Sequence, residues 1–122
     1  KGAAALAEGL KGNSTLQSLD LTNNELCGVN VLGDGTYTTE GITKLCEALK
    51  GSAVISLNLV GNQLCGVIRQ GRGTYTAEGI TKLCEALKGS AVTSLDLRAN
   101  GLNDQSTQAV KDAADAGVTI HF

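Results

Sequence analysis

The chain has no proline, tryptophan or methionine, and three of its 122 residues are aromatic. These absences exclude a core built on large aromatic side chains. The apolar residues that remain are leucine, valine, isoleucine, alanine and cysteine, which suit thin stacked layers better than a compact globule. At this length we expect one domain with one continuous core.

The sequence also lacks a dominant charge and a long apolar run. Ten basic residues stand against twelve acidic ones, which leaves a net charge of −2. This balance gives no electrostatic reason to expect nucleic acid or an anionic membrane as a partner. No apolar run approaches the roughly 20 residues that a membrane-spanning helix needs, and no segment resembles a signal peptide. We therefore expect a soluble domain.

The chain repeats itself. Residues 16–53 align without a gap onto residues 54–91 and match at 27 of 38 positions. A fixed period of roughly 20 to 50 residues is typical of a solenoid, whose units bury their apolar faces by stacking. The predicted single domain, residues 1–122, therefore has four parts: a partial repeat (1–15), two full repeats (16–53 and 54–91) and a short last repeat (92–122).

Each repeat opens with the pattern LxxLxLxxN, which in the first full repeat is Leu16, Leu19, Leu21 and Asn24. The Leu-x-Leu step has a period of two, so alternate side chains of a short strand face inward. The asparagine follows where the chain turns away. Its side-chain amide can bond backbone groups that would otherwise be buried without a partner. We predict strands near residues 18–22, 56–60, 94–98 and 119–122.

The second half of each full repeat has helical spacing. Apolar residues recur three and four positions apart and form one stripe, at Ile42, Leu45, Cys46 and Leu49 and again at Ile80, Leu83, Cys84 and Leu87. Thr38 or Thr39 can cap the first of these helices, and Gly51 can end it in a left-handed conformation beside Lys50. We predict helices near residues 2–11, 40–50, 78–88 and 104–115.

These patterns resemble leucine-rich repeats of the ribonuclease-inhibitor type. The resemblance implies an α/β horseshoe in which parallel strands line the concave face and α-helices cover the convex face. The sequence departs from that family at two insertions of roughly ten residues, which begin at Cys27 and Cys65. Glycines and β-favouring residues in these insertions predict a loop or a small hairpin.

Differences between the two full repeats are concentrated in one half. Ten of the 11 differing positions fall within residues 16–34, whereas Lys44, Glu47 and Lys50 recur unchanged in the next repeat. A recent duplication or a designed consensus explains the identical helices but not this clustering. We interpret the divergent half as a recognition surface. The predicted partner-binding residues are Asp20, Thr22, Asn58, Val60, Asp96 and Arg98 on the strands and Asp34 and Arg72 in the insertions.

The residues that could carry chemistry favour structural roles. The four cysteines have no CxxC spacing and no neighbouring histidine, so we expect no metal site and no cofactor. Cys46 and Cys84 are predicted to be buried, and all four thiols to be reduced, as in the cytoplasm. Ile120 and Phe122 are predicted to face the core from the last strand. His121, which is the only histidine, then points the other way as a solvated side chain.

Two functions fit these observations better than catalysis. The first is a non-catalytic module that binds a protein or peptide on its concave face and loop tips, where Arg69, Arg72 and Arg98 are expected to face the acidic residues of the preceding repeat. The second is a structural or engineered repeat fragment without a ligand. Such a fragment can form a homodimer through its open ends, because an unstacked repeat exposes apolar residues.

Overall fold

A computed structural model describes residues 2–11, 13, 15–30, 32, 34–68, 73–114 and 117–122. Helices and strands alternate along the chain in this order: α1 (Gly2–Lys11), β1 (Ser18–Asp20), α2 (Glu40–Leu49), β2 (Ser56–Asn58), α3 (Glu78–Leu87), β3 (Ser94–Asp96), α4 (Asp104–Ala113) and β4 (Thr119–His121). Every helix and strand that the sequence predicts is present. The alternation is that of an α/β solenoid.

The strands form one parallel sheet with the order β1-β2-β3-β4. Leu19 pairs with Leu57, Leu57 with Leu95, and Leu95 with Ile120, so the inward leucine positions of successive repeats lie side by side. The first three strands end two residues earlier than predicted. The reason is a turn that follows each strand. After β1, Asn23 in this turn adopts a left-handed φ of 56°. The predicted parallel order is confirmed.

The core lies between the sheet and the layer of helices. Leu57, Leu95 and Ile42 are at most 1% exposed, because each is covered by a strand or helix of both adjoining repeats. The helical stripe of the first full repeat is buried as predicted: Ile42, Leu45, Cys46 and Leu49. Stacking of repeats therefore produces one continuous core, as the solenoid hypothesis requires.

The repeated asparagine joins neighbouring repeats. The side-chain oxygen of Asn62 accepts hydrogen bonds from the backbone nitrogens of Asn24 and Leu26, at 3.0 and 3.3 Å. Its side-chain nitrogen donates to the carbonyl oxygens of Leu21 and Leu59, at 2.8 and 3.0 Å. Asn100 makes the same bonds one repeat later. The predicted role is confirmed for Asn62 and Asn100, and it extends across the boundary between repeats. Asn24 differs, because it is exposed and its side chain donates to the carbonyl oxygen of Thr22.

The ends of α2 differ in part from the prediction. Thr39 makes no side-chain capping bond, whereas the Thr38 hydroxyl accepts a hydrogen bond from the backbone nitrogen of Glu40 at 3.2 Å. The prediction of a left-handed Gly51 is wrong, since its φ is not positive. Ser52 removes the need for that conformation, because its backbone nitrogen and its hydroxyl both donate to the last helical carbonyl, at Leu49.

The described part of each insertion is closed by one antiparallel bridge, which agrees with the predicted loop or small hairpin. We call residues 27–38 the first insertion and residues 65–76 the second. An antiparallel bridge joins Val29 to Gly35 in the first insertion, and another joins Val67 to Gly73 in the second. Gly35 has a φ of +113°, and a Cβ there would collide with the carbonyl oxygen of Gly28, so this position requires glycine. Gly33 and Gly71 lie outside the described residues.

Candidate functional site

The exposed face of the sheet carries its side chains in ordered rows. Because side chains alternate along a strand, the residues on either side of each buried leucine point away from the helices, onto the concave face. Parallel pairing in register then aligns equivalent residues across the strands. Two rows result: the hydroxyl row is Ser18, Ser56, Ser94 and Thr119, and the polar row is Asp20, Asn58, Asp96 and His121. A third, shorter row follows at the turns: Thr22, Val60 and Arg98.

The polar row begins with a carboxylate that solvent reaches. Asp20 accepts hydrogen bonds from the backbone nitrogen of Thr22 at 3.0 Å and from the Thr22 hydroxyl at 2.6 Å. Both bonds stabilise the charged form, and they lower the pKa of Asp20 below its ordinary value. Threonine is neutral, so Asp20 presents a negative charge to the concave face.

A neutral pair occupies the next strand. The side-chain oxygen of Asn58 accepts a hydrogen bond from the backbone nitrogen of Val60 at 3.0 Å. The same oxygen lies 3.1 Å from the Thr22 hydroxyl. A hydroxyl has one proton to donate, and the shorter bond to the charged Asp20 favours that acceptor. Asn58 and Val60 therefore form an uncharged centre between two charged ends.

An ion pair occupies the third strand. Arg98 donates from Nε and Nη2 to the two carboxylate oxygens of Asp96, with a shortest distance of 2.6 Å. These bonds lower the pKa of Asp96 and raise that of Arg98. The expectation that Arg98 faces the acids of the preceding repeat is therefore wrong. Its long side chain instead folds over the carboxylate two residues away, where a bidentate contact is available.

The last strand contributes a residue that the sequence analysis left out of the site. His121 pairs with Asp96 in the sheet register and is exposed, so it continues the polar row. The predicted orientation is confirmed, since Ile120 packs against the core. The expectation that Ile120 faces the core already contained the signal, because in a strand it places the neighbouring His121 on the concave face. The prediction that Phe122 faces the core is wrong: β4 ends at His121, and the side chain of Phe122 is 41% exposed, with Lys111 above its ring.

The hydroxyl row was also missed, for a different reason. Ser18, Ser56 and Ser94 are identical between repeats, so a search for divergent positions does not find them.

In the insertions, Asp34 is exposed, and its backbone oxygen accepts a hydrogen bond from the backbone nitrogen of Asn30 at 3.0 Å. Arg72 and Arg69 lie outside the described residues. The structure thus assembles the strand residues into one surface and describes one of the two predicted loop residues.

The cysteines lie in the interior. All four are free; Cys27, Cys46 and Cys65 are buried, and Cys84 is partly exposed. Full burial was predicted for Cys84, and it is incomplete because α4 buries only Ser106 and Val110. Burial raises the pKa of Cys46 to about 12, which leaves a neutral, poorly nucleophilic thiol at physiological pH. Within the described ranges, His, Cys, Asp and Glu form no group of three that could hold a metal ion.

None of the described helices is long and apolar enough to cross a membrane.

Comparison with known proteins agrees with this architecture. The family model Leucine Rich Repeat matches residues 15–34, which contain β1 and the turn that follows it. No curated protein and no solved structure matches the chain. Together with the parallel sheet and its alternating helices, the match supports a leucine-rich repeat protein, with the fold of an α/β leucine-rich repeat solenoid.

Proposed function

We propose that the chain is a non-catalytic interaction module that binds a protein or peptide on its concave face and at the tips of its insertions. The leucine-rich repeat family suggests this class of function and is typically non-enzymatic. We also propose that the repeats are of the ribonuclease-inhibitor type, lengthened by the two insertions. The alternation of one strand and one α-helix in each repeat supports the type, and the 38 positions between the paired Leu19 and Leu57 support the lengthening.

One observation carries the proposal. Several of the positions at which the repeats differ lie on the concave face, while most of the frame beneath them is kept. Asp20 becomes Asn58 and Thr22 becomes Val60, yet Leu19, Leu21 and Asn24 recur as Leu57, Leu59 and Asn62. The asparagine bonds and the parallel register hold each exposed side chain at a fixed place. Recognition surfaces on repeat scaffolds vary in this manner.

A pull-down with matched variants tests this proposal. The immobilised chain is compared with a concave variant, Asp96→Ala/Arg98→Ala, and with a convex variant, Lys44→Ala/Lys82→Ala. Unchanged thermal unfolding of both variants is checked first, because exposed substitutions usually alter stability by less than about 0.5 kcal/mol. We expect proteins captured by the wild type to be lost from the concave variant alone. Loss from the convex variant alone would place the interface on the helices.

Self-association is a second candidate, and it rests on the ends of the sheet. Leu19 on β1 and Ile120 on β4 are partly exposed, whereas their partners Leu57 and Leu95 are 1% and 0% exposed. We propose that these ends can pair in a homodimer. A light-scattering mass of twice the monomer at high micromolar concentration would support this. A monomer mass under the same conditions would contradict it.

We further propose that the protein works in a reducing compartment, the cytoplasm. The thiols support this, because all four are free and three of them are buried. Alkylation of the unfolded protein, with and without prior reduction, tests the proposal by mass. Equal masses are expected. A difference between the two samples would reveal disulfides and contradict a reducing compartment.

A further inference from the structure

The two ends of the concave face differ in charge. At the β1 end, the carboxylate of Asp20 bonds only to Thr22 within the described structure, so no cation offsets its charge. Glu25, in the turn that follows, is also exposed. This end therefore attracts a positively charged group.

The β3 end presents a cation. The side chain of Arg98 is 63% exposed, whereas that of its partner Asp96 is 15% exposed. The guanidinium thus covers the carboxylate and faces outward. An arginine has five N–H donors, and those not used by Asp96 remain for a second acceptor. His121 lies beside the pair on β4 and is exposed as well. A negatively charged group fits here.

Between these ends, the hydroxyl row offers a binding site for a peptide backbone. Its side chains are small, so a peptide backbone can come close to the sheet there. In the described part of the chain, no hydrogen bond engages the hydroxyls of this row, and each hydroxyl can both donate and accept. A peptide backbone likewise carries one donor and one acceptor at each residue other than proline.

The spacing of the strands relates the two charges. Neighbouring strands lie about 4.8 Å apart, so Asp20 on β1 is about 10 Å from the β3 pair and about 14 Å from β4. An extended peptide advances about 3.3 Å per residue. Crossing from β1 to β3 or β4 therefore takes about three or four residues.

We infer that the concave face binds an extended peptide segment that crosses the strands, with a basic side chain at Asp20 and an acidic side chain at Arg98 and His121. This inference rests on the proposed function, whose binding face it shares. It adds the chemistry of the partner: two opposite charges about three or four residues apart, with a backbone between them that reaches the hydroxyl row.

A displayed library of random 12-residue peptides tests the inference. Peptides are selected on the wild-type chain and on the single variant Asp20→Lys, which reverses the charge of the β1 end alone. We expect wild-type selection to enrich a basic and an acidic residue about three or four positions apart. Asp20→Lys should instead enrich two acidic residues at that spacing. Selection on Lys44→Glu/Lys82→Glu, with altered charge on the helices, should reproduce the wild-type pattern.

The variant Asp20→Asn provides a second measurement if Asp20→Lys does not fold. Its affinity for a synthetic wild-type-selected peptide should fall by about two- to fivefold, as for an exposed ion pair of up to about 1 kcal/mol. Replacing the basic residue of the peptide should then cause no further loss. Enriched peptides without the spaced basic and acidic pair, or the same pair on wild type and Asp20→Lys, would overturn the inference alone. Absence of any enriched peptide on the wild type would overturn the proposed function as well.

Discussion

The Tyr37 hydroxyl accepts a hydrogen bond from the backbone nitrogen of Gly79 at 3.1 Å, across 42 residues of chain. The same hydroxyl donates to the carbonyl oxygen of Leu64 at 2.6 Å. Gly79 lies in the first turn of α3, whose N-cap residue, Ala77, has no side-chain oxygen. The Thr76 hydroxyl bonds the backbone nitrogen of Glu78, and a tyrosine of the first insertion thus adds a second bond to the first turn of α3 and fixes the insertion to the scaffold.

Tyr37→Phe should destabilise the fold, because it leaves the nitrogen of Gly79 and the oxygen of Leu64 without this partner. We expect a loss of about 1–3 kcal/mol in the free energy of unfolding. Tyr75→Phe is the matched control in the second insertion, since its hydroxyl bonds to the exposed side chain of Asn103 at 3.2 Å and to the Cys65 thiol rather than to two backbone groups. That change should cost less than about 1 kcal/mol. Urea unfolding measures both, and equal losses would contradict the capping role.

Gly79→Ala should also destabilise the fold, although alanine favours helices. A Cβ at position 79 would lie 2.7 Å from the Tyr37 hydroxyl and 2.8 Å from the Leu64 carbonyl oxygen. We expect a cost of about 1–3 kcal/mol, as for other overpacked sites. Gly51 is the control, because its Cβ would meet nothing within 4 Å. Gly51→Ala should be neutral or stabilising by up to about 1 kcal/mol in the same urea experiment. A neutral Gly79→Ala would argue against the close contact.

The side-chain bonds of Asn62 and Asn24 predict that the same change to alanine lowers the free energy of unfolding by different amounts at the two positions. Asn62 is 0% exposed and serves backbone groups of two repeats, whereas Asn24 is exposed and donates only to the carbonyl oxygen of Thr22. Asn62→Ala should cost about 2–4 kcal/mol, and Asn24→Ala less than about 1 kcal/mol. Calorimetry gives both values. Hydrogen exchange at the amide of Leu26 should quicken in Asn62→Ala, and unchanged exchange there would contradict the assigned bond.

The buried thiols predict a loss of stability at alkaline pH. Burial raises the pKa of Cys46 to about 12 and those of Cys27 and Cys65 to about 11. A thiol in the unfolded chain titrates near pH 8.5. Below that pH, the contribution of the raised pKa values to the free energy of unfolding is fully present. Their contribution is lost as the pH rises toward the folded values. The melting temperature should therefore fall above about pH 9, and less steeply in Cys46→Ala. Identical slopes in the two proteins, in the presence of reductant, would contradict the assignment.

The sequence predicted the repeating frame well, because period and spacing act locally. The leucine spacing placed Leu19 and Leu57 in the sheet, and the helical stripe placed Ile42 in the core. It failed where a distant contact decides the outcome. The bond to the Gly79 nitrogen of α3 comes from Tyr37 in the preceding repeat, which no pattern within α3 reveals. Gly51 does not adopt the predicted left-handed conformation, because Ser52 bonds the last carbonyl of the helix.

The candidate surface was predicted less completely than the fold. Comparison of repeats finds residues that differ, so it found Asp20 and Asn58 but not the identical serines of the hydroxyl row. From charge alone, Arg98 was expected to face acidic residues of the preceding repeat. The geometry of the turn instead brings its side chain into contact with Asp96. Side-chain pairing of this kind depends on rotamers and local backbone, which a spacing pattern does not contain.

Nuclear magnetic resonance tests the location of the binding surface most directly. The ¹⁵N-labelled chain is titrated with a peptide enriched on the wild type, and the backbone amide shifts are followed residue by residue. The account predicts that the largest changes fall on the polar and hydroxyl rows, at residues such as Asp20, Asn58 and Asp96, while Lys44 and Lys82 stay unchanged. Shifts that concentrate on α2 and α3 instead would contradict a concave binding face.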